Sequence, residues 1–193
     1  GLGDVYKRQV EHFTQYAEDE MKLIGQLQQQ DGGFYRINQT STRDVDGNKL
    51  TANYNEGIAY NYKSISGYTS DPDRNQLLFM KQMGYAICGD VMNVVNTSVL
   101  GADSILGVKY VLSSYDIPGL KKLENIEPGN GKSVYYNPYA LPVAFTYESS
   151  NMLPDSEEKD EFLYQNQLFS YLSGQNVQAV SYTHLTLPTI CSV

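Results

Sequence analysis

The residues best suited to chemistry in this chain are tyrosines set among amides. Tyr54, Tyr60 and Tyr62 stand in an Asn-, Ser- and Gly-rich stretch, and Tyr136, Asn137 and Tyr139 follow some seventy residues later. Sugars bind on aromatic faces, with planar amides reading their hydroxyls. Arg36 and Lys109, each inside an apolar run, could pair with a phosphate or a uronate. These eight residues, Arg36, Tyr54, Tyr60, Tyr62, Lys109, Tyr136, Asn137 and Tyr139, are the glycan-binding candidates. The plainer role is structural. Rings at strand positions pack on a sheet with their hydroxyls satisfied at the rim, and core packing explains most strand aromatics. A cation on a strand commonly sits at a sheet edge or solvent face.

Other constellations dissolve when their spacing is tested. Gly131-Lys132-Ser133 resembles the end of a phosphate-binding loop, but that motif needs a glycine where Ile126 stands and a helix afterwards. A hairpin turn fits better. The stretch from Asp44 to Asn48 hints at a calcium loop, yet its twelfth position is Asn55 and not Glu. Asp71 reads as a helix cap and Asp73 as a solvated neighbour. His12 has no partner in sequence. No nucleophile–base motif is present, so no catalytic residue and no metal site are assigned. Asn38 and Asn96 open N-glycosylation triplets, which mark surface loops at most.

The elements that must position these residues are short and mixed. A helix over 10–29 carries Val10, Phe13, Ala17, Met21, Ile24 and Leu27 at three- and four-residue steps. Asp31-Gly32-Gly33 ends it, with a glycine suited to a left-handed cap. Residues 34–37 read as a strand. Asp46-Gly47 is a hairpin signal, 49–55 could return as its second strand, and 58–62 and 64–68 read as short strands or an ordered loop. Asp71-Pro72 opens a helix that Gly84 stops, and 91–95 contains a short strand. Residues 108–112 form a buried strand, because Val and Tyr suit a covered pleated surface. Residues 117–123 form a loop, 128–131 a turn, and the run from Val134 the neighbouring or antiparallel partner. Pro154-Asp155-Ser156 opens a last helix ended by Gly174, with Phe162, Leu168, Phe169 and Leu172 toward the core. Strands mixed with helices, without βαβ alternation, give an α+β fold: a mixed or antiparallel sheet with an N-terminal amphipathic helix and two further helices packed on it.

ADSILGVKYVLS at 102–113 and YYNPYALPVAF at 135–145, with DGGFYRI at 31–37 and YQNQLFSYLSG at 164–174, resemble the YfhO family of bacterial integral membrane proteins in content and order. The resemblance covers roughly 10–179. It implies an extracytoplasmic piece of a polytopic, glycosyltransferase-like membrane protein, with 10–30 as the stalk helix leaving the bilayer. The parent is expected to glycosylate a cell-surface polymer of the lipoteichoic acid type from a polyprenyl-phosphate sugar. Its catalytic carboxylate would lie between membrane spans, so this piece is itself non-catalytic and holds no cofactor. The expected partners are its own transmembrane bundle and a surface glycan. The alternative is a non-enzymatic glycan-binding or structural surface module; about ten or more hydrophobic spans upstream of Val10 would support the membrane-enzyme reading and nearly exclude this one.

Residues 1–9 and 180–193 resemble translated sequencing-adapter sequence and are set aside as foreign. Cys88 is then the only cysteine, which rules out an internal disulfide, and His12 the only histidine. The net charge moves from −8 to −9 as Lys7, Arg8 and Asp4 leave. An acidic chain without a basic cluster argues against nucleic acid. Its 193 residues suit one domain, and no run approaches the roughly 18 apolar residues of a spanning helix.

Overall fold

The computed structural model describes residues 2–42, 55–67, 69, 71–85, 97–148, 152–155 and 160–176. The expected hairpin at Asp46-Gly47, the strand at 91–95 and Cys88 lie outside these residues.

Helix α1 (Leu2–Gln30) is longer than its periodicity suggests. Its packed stripe is also rotated from the expected one. Tyr16, Glu20, Leu23, Ile24 and Leu27 face the body, at steps of four, three, one and three, while Val10, Phe13 and Met21 are 47%, 46% and 50% exposed. Burying Leu23, Ile24 and Leu27 contributes roughly 1.5–3 kcal/mol each by transfer, as an upper bound. Among the described side chains of α1, those of its last turns are gripped, and residues 10–15 stand exposed. No left-handed glycine ends the helix. The Asp31 side chain instead accepts the Gly33 N–H at 2.9 Å.

Among the described residues the sheet has four strands, in the order β1 (Arg36–Gln39), β2 (Val108–Ser113), β4 (Ser133–Tyr136), β3 (Lys121–Lys122). β1 starts two residues later than its sequence signal and runs parallel to β2. β2 and β4 pair antiparallel, as expected, with Leu112 opposite Val134. The segment expected to be only loop at 117–123 supplies the two-residue β3. Asn130 and Gly131 both have positive φ, 53° and 70°, and Gly129 and Lys132 exchange backbone bonds of 3.0 and 2.9 Å. This is the Asn-Gly two-residue turn whose twist matches flanking strands.

One irregularity re-aims a side chain. The β1–β2 register runs from Arg36 opposite Val108 directly to Ile37 opposite Tyr110, so Lys109 is the extra residue of a bulge. Val108 then packs with Val111 and Tyr135 on one face, while Lys109 reaches the face that carries Tyr110.

Ile37, Tyr110, Leu112 and Val134 meet Leu23, Ile24 and Leu27 of α1 on one face. Val108, Val111 and Tyr135 meet Leu106, Ile65, Ile117 and Leu120 on the other. Leu106 and Ile65 also border a helical core of Met80, Met83, Tyr85, Ala102 and Tyr164. That core is drawn from α3 (Arg74–Gln82), α4 (Leu100–Ile105), α5 (Glu161–Ser173) and the turn after α3. Residues 58–62, expected to be a short strand or an ordered loop, instead begin in a short helix, α2 (Glu56–Ala59). The fold is α+β, with α1 on one side of a mixed sheet and α3, α4 and α5 beyond its opposite face.

The caps correct two expectations. Asp73, not Asp71, caps α3, accepting the Asn75 and Gln76 N–H groups at 2.9 and 3.0 Å. Pro72 lies outside the helix, so Asp73 is the first carboxylate within reach of the free amides. α5 starts later than its Pro-Asp-Ser signal, at Glu161 behind an Asp160 cap, and Gly174 ends it at φ 68°. At Gly101 a Cβ would lie 2.8 Å from the Phe169 ring, so only glycine lets α4 and α5 approach this closely.

Candidate functional site

Among the described residues, three polar centres are built into the fold. The first stands at the C-terminal end of α1. The Lys109 ammonium, delivered by the bulge, pairs with the Asp31 carboxylate, and Tyr110 donates to the same oxygen at 2.8 Å. Tyr35 donates to the Asp31 carbonyl at 2.9 Å. Lys109 also lies 5.7 and 5.6 Å from the Tyr35 and Tyr110 ring centres, within cation–π range. Burial alone would raise Asp31; hydrogen bonds from Lys109, the Gly33 amide and Tyr110 outweigh it and hold the carboxyl below the usual range.

The second centre is interior, between α1 and the β3–β4 hairpin. Lys132 and Glu20 are fully buried and pair at 2.8 Å. Lys132 also donates to Gln39 Oε1 and, at 3.2 Å, to the Tyr16 hydroxyl. Tyr16 donates to Glu56 at 2.9 Å. Gln39 donates to Glu56 at 2.9 Å and to Tyr62 Oη at 2.6 Å. Asn130 of the turn donates to Glu20 at 2.9 Å and to the Tyr16 carbonyl at 2.9 Å. Burial, then the Glu20 and Glu56 charges, push the Tyr16 phenol far up. Glu20 Oε1 has no protein partner.

The third centre lies between β1 and α4. Asp103 is buried and accepts from Tyr85 at 2.6 Å, Ser98 at 2.6 Å and Asn38 at 3.2 Å. Asn38 also donates to the Thr97 carbonyl at 2.8 Å. Desolvation lifts the Asp103 carboxyl to about 6, even against hydrogen bonds from Ser98, Tyr85, Asn38 and the Val99 amide.

These centres draw the sugar-binding candidates apart. Lys109 and Tyr136 come together through Tyr110, whose ring is 5.9 Å from that of Tyr136. Tyr60 and Tyr62 flank the interior centre; the Tyr60 ring is 6.4 Å from that of Tyr16. Arg36 lies on the edge strand and donates to the Leu106 carbonyl at 2.6 Å. Asn137 is buried, donating to Ser104 at 3.1 Å and the Val108 carbonyl at 3.0 Å. Tyr139 is 61% exposed. Tyr54 lies outside the described residues.

A family model described as bacterial membrane protein YfhO matches residues 5–191. The chain belongs to the YfhO family. No curated protein and no solved structure matches it. The YfhO match runs through most of both ends that were set aside as adapter-like. Among the described residues, no helix of this YfhO chain is long and apolar enough to cross a membrane.

Sequence reasoning missed Glu20, Lys132 and Asp103. Glu20 lies four residues after Tyr16 and three and four before Leu23 and Ile24, a spacing that marks it only once this stripe, and not the one through Val10, Phe13 and Met21, is known to be the buried one. Lys132 follows an Asn-Gly turn, where a solvated lysine is the ordinary expectation. Asp103 lies within the longest family motif but has no local feature marking it as interior.

Proposed function

We propose that this YfhO chain is an extracytoplasmic accessory domain of a membrane glycosyltransferase-like protein. The parent acts in glycosylation of a cell-surface polymer of the lipoteichoic acid type. Its membrane part uses a polyprenyl-phosphate sugar, and the domain braces that part or holds the acceptor polymer beside it. The observation that carries this reading is the form of α1. Its last turns are locked to the sheet and residues 10–15 before them stand exposed, as in a stalk between a folded domain and a bilayer. The ion pairs Lys132–Glu20 and Lys109–Asp31 serve packing and leave neither cation as an evident acid–base group.

Bracing is favoured over glycan holding by one observation. Asn137, the amide at the centre of the proposed sugar motif, is buried with its side chain spent on Ser104, Val108 and the Tyr139 amide.

The test offers the purified chain a polyprenyl-phosphate sugar and a wall polymer. No transfer is expected, because the lipid tail of the donor stays in a bilayer. Turnover by the isolated chain would overturn the reading. Polymer binding that falls on changing Tyr136 or Tyr139 would select the holding role. Hydrophobic spans encoded upstream of Val10 are also expected, and their absence would support a free surface module.

A further inference from the structure

After β4 the chain runs along the surface before α5 returns it to the helical core. Residues 138–148 form a strap without helix or strand, running from Asn137 past α4 to the end of α5. Its course is fixed at three places. Leu141 N–H donates to the Ser104 carbonyl at 2.9 Å. The Tyr147 ring packs edge-on against Tyr171 at 5.4 Å. Gly174 lies against the Glu148 carbonyl.

The side chains of the strap are the unusual part. Tyr139, Leu141, Val143, Phe145 and Tyr147 occupy every second position, and all are exposed. Met152 and Leu153 follow at 90% and 69% exposure. These seven are nearly half of the fifteen large apolar side chains exposed among the described residues. From 138 to 147 there is no charged residue. An ordered, uncharged apolar surface of this kind marks an interaction site.

We propose that this strap lies in the interfacial layer of a lipid bilayer. Four observations select that occupant. The family is one of bacterial membrane proteins, so a bilayer is the surface such a domain sits beside. Leu141, Val143, Met152 and Leu153 are aliphatic; a sugar platform needs rings, whereas acyl chains accept aliphatic and aromatic groups alike. Tyr139 and Tyr147 put an apolar ring beside a polar hydroxyl, the combination enriched where headgroups meet hydrocarbon. Pro138 and Pro142 lack backbone N–H groups, so the irregular backbone brings fewer donors to desolvate at that depth. The strap has no lysine or arginine, so neutral lipid suffices and apolar burial is the driving force. This inference rests on the family membership and not on the sugar-transfer reading.

The experiment is flotation of the full 193-residue chain with neutral phosphatidylcholine vesicles at millimolar lipid. The wild-type chain should float, to the same extent at low and high salt. Leu141→Ser/Phe145→Ser should reduce the floated fraction at least about fivefold. Met152→Ser/Leu153→Ser, at positions with little packing to lose, should also reduce it while the melting temperature stays unchanged. Ile58→Ser, at an apolar side chain exposed elsewhere, should float like wild type. Four results would overturn the proposal: no flotation of wild type, equal flotation of both strap variants, flotation that requires anionic lipid, or loss of flotation with Ile58→Ser. Capture by a soluble wall polymer in place of vesicles, lost with the strap variants, would reassign the strap to glycan and overturn it as well. Failure here leaves the donor experiment above untouched, and the reverse also holds.

Discussion

Lys132 is the residue on which the α1 interface turns. Its ammonium is buried against Glu20, and a buried charge stripped of its partner is costly. Lys132→Met should therefore destabilise the chain by about 3–5 kcal/mol, read by denaturant unfolding. Adding Glu20→Leu should recover part of that loss, because the stranded carboxylate leaves too. A double variant as unstable as the single would show that the pair is not coupled. Asp103 makes a second prediction at this scale. Its folded carboxyl titrates at about 6, above the ordinary 3.8, so the folded state binds this proton more tightly than the unfolded one. Its contribution to stability is complete below about pH 4 and is lost as pH rises through about 6. The linkage is worth about 3 kcal/mol. Between pH 4 and 7 the wild-type chain should lose about that much stability relative to Asp103→Asn. Parallel pH profiles for the two would contradict the raised value.

β2 is the element that both faces share. Val111 and Leu112 are fully buried on opposite sides of it. Truncating either to Ala should cost on the order of 1–4 kcal/mol; two neutral results would move this strand to the surface. β2 was also the most legible element in the sequence, because a run of Val, Tyr, Val and Leu after a glycine leaves little choice. Its pairing with the run at Val134 was legible for the same reason, and so was the glycine stop of α5. The stripe of α1 was not. The sequence offers two overlapping apolar stripes, one through Val10, Phe13 and Met21 and one through Leu23, Ile24 and Leu27. Choosing between them requires knowing that Glu20 finds Lys132 more than a hundred residues away. The bulge at Lys109 was equally hidden, because it arises from β1–β2 register and not from any local signal. The centres at Lys132 and Asp103 were illegible for that reason: each is assembled from segments distant in sequence.

At the scale of the molecule, α1 and the helical core sit on opposite faces of one sheet, and the described core residues run from Leu23 to Leu168. Deleting 1–9 and 180–193 should therefore change stability by less than about 1 kcal/mol, the scale of surface changes, measured by thermal unfolding. A cooperative loss of structure would show that these ends belong to the fold and would refute their reading as foreign sequence.

The hairpin tip that grips α1 also has a consequence in time. Asn130 bonds to Tyr16 and Glu20 across 114 and 110 residues of chain, among the longest loops this fold must close. Contacts of such separation form against a large closure entropy. Until α1 docks, Glu20 and Lys132 are better left in water. The docking of α1 is thus expected to follow the folding transition state. Asn130→Ala should then leave the refolding rate nearly unchanged and act by speeding unfolding. Stopped-flow refolding and unfolding arms would read this, and an equal loss on the refolding arm would put α1 in the nucleus. On this ordering, α1 is both the last part to arrive and the first to leave.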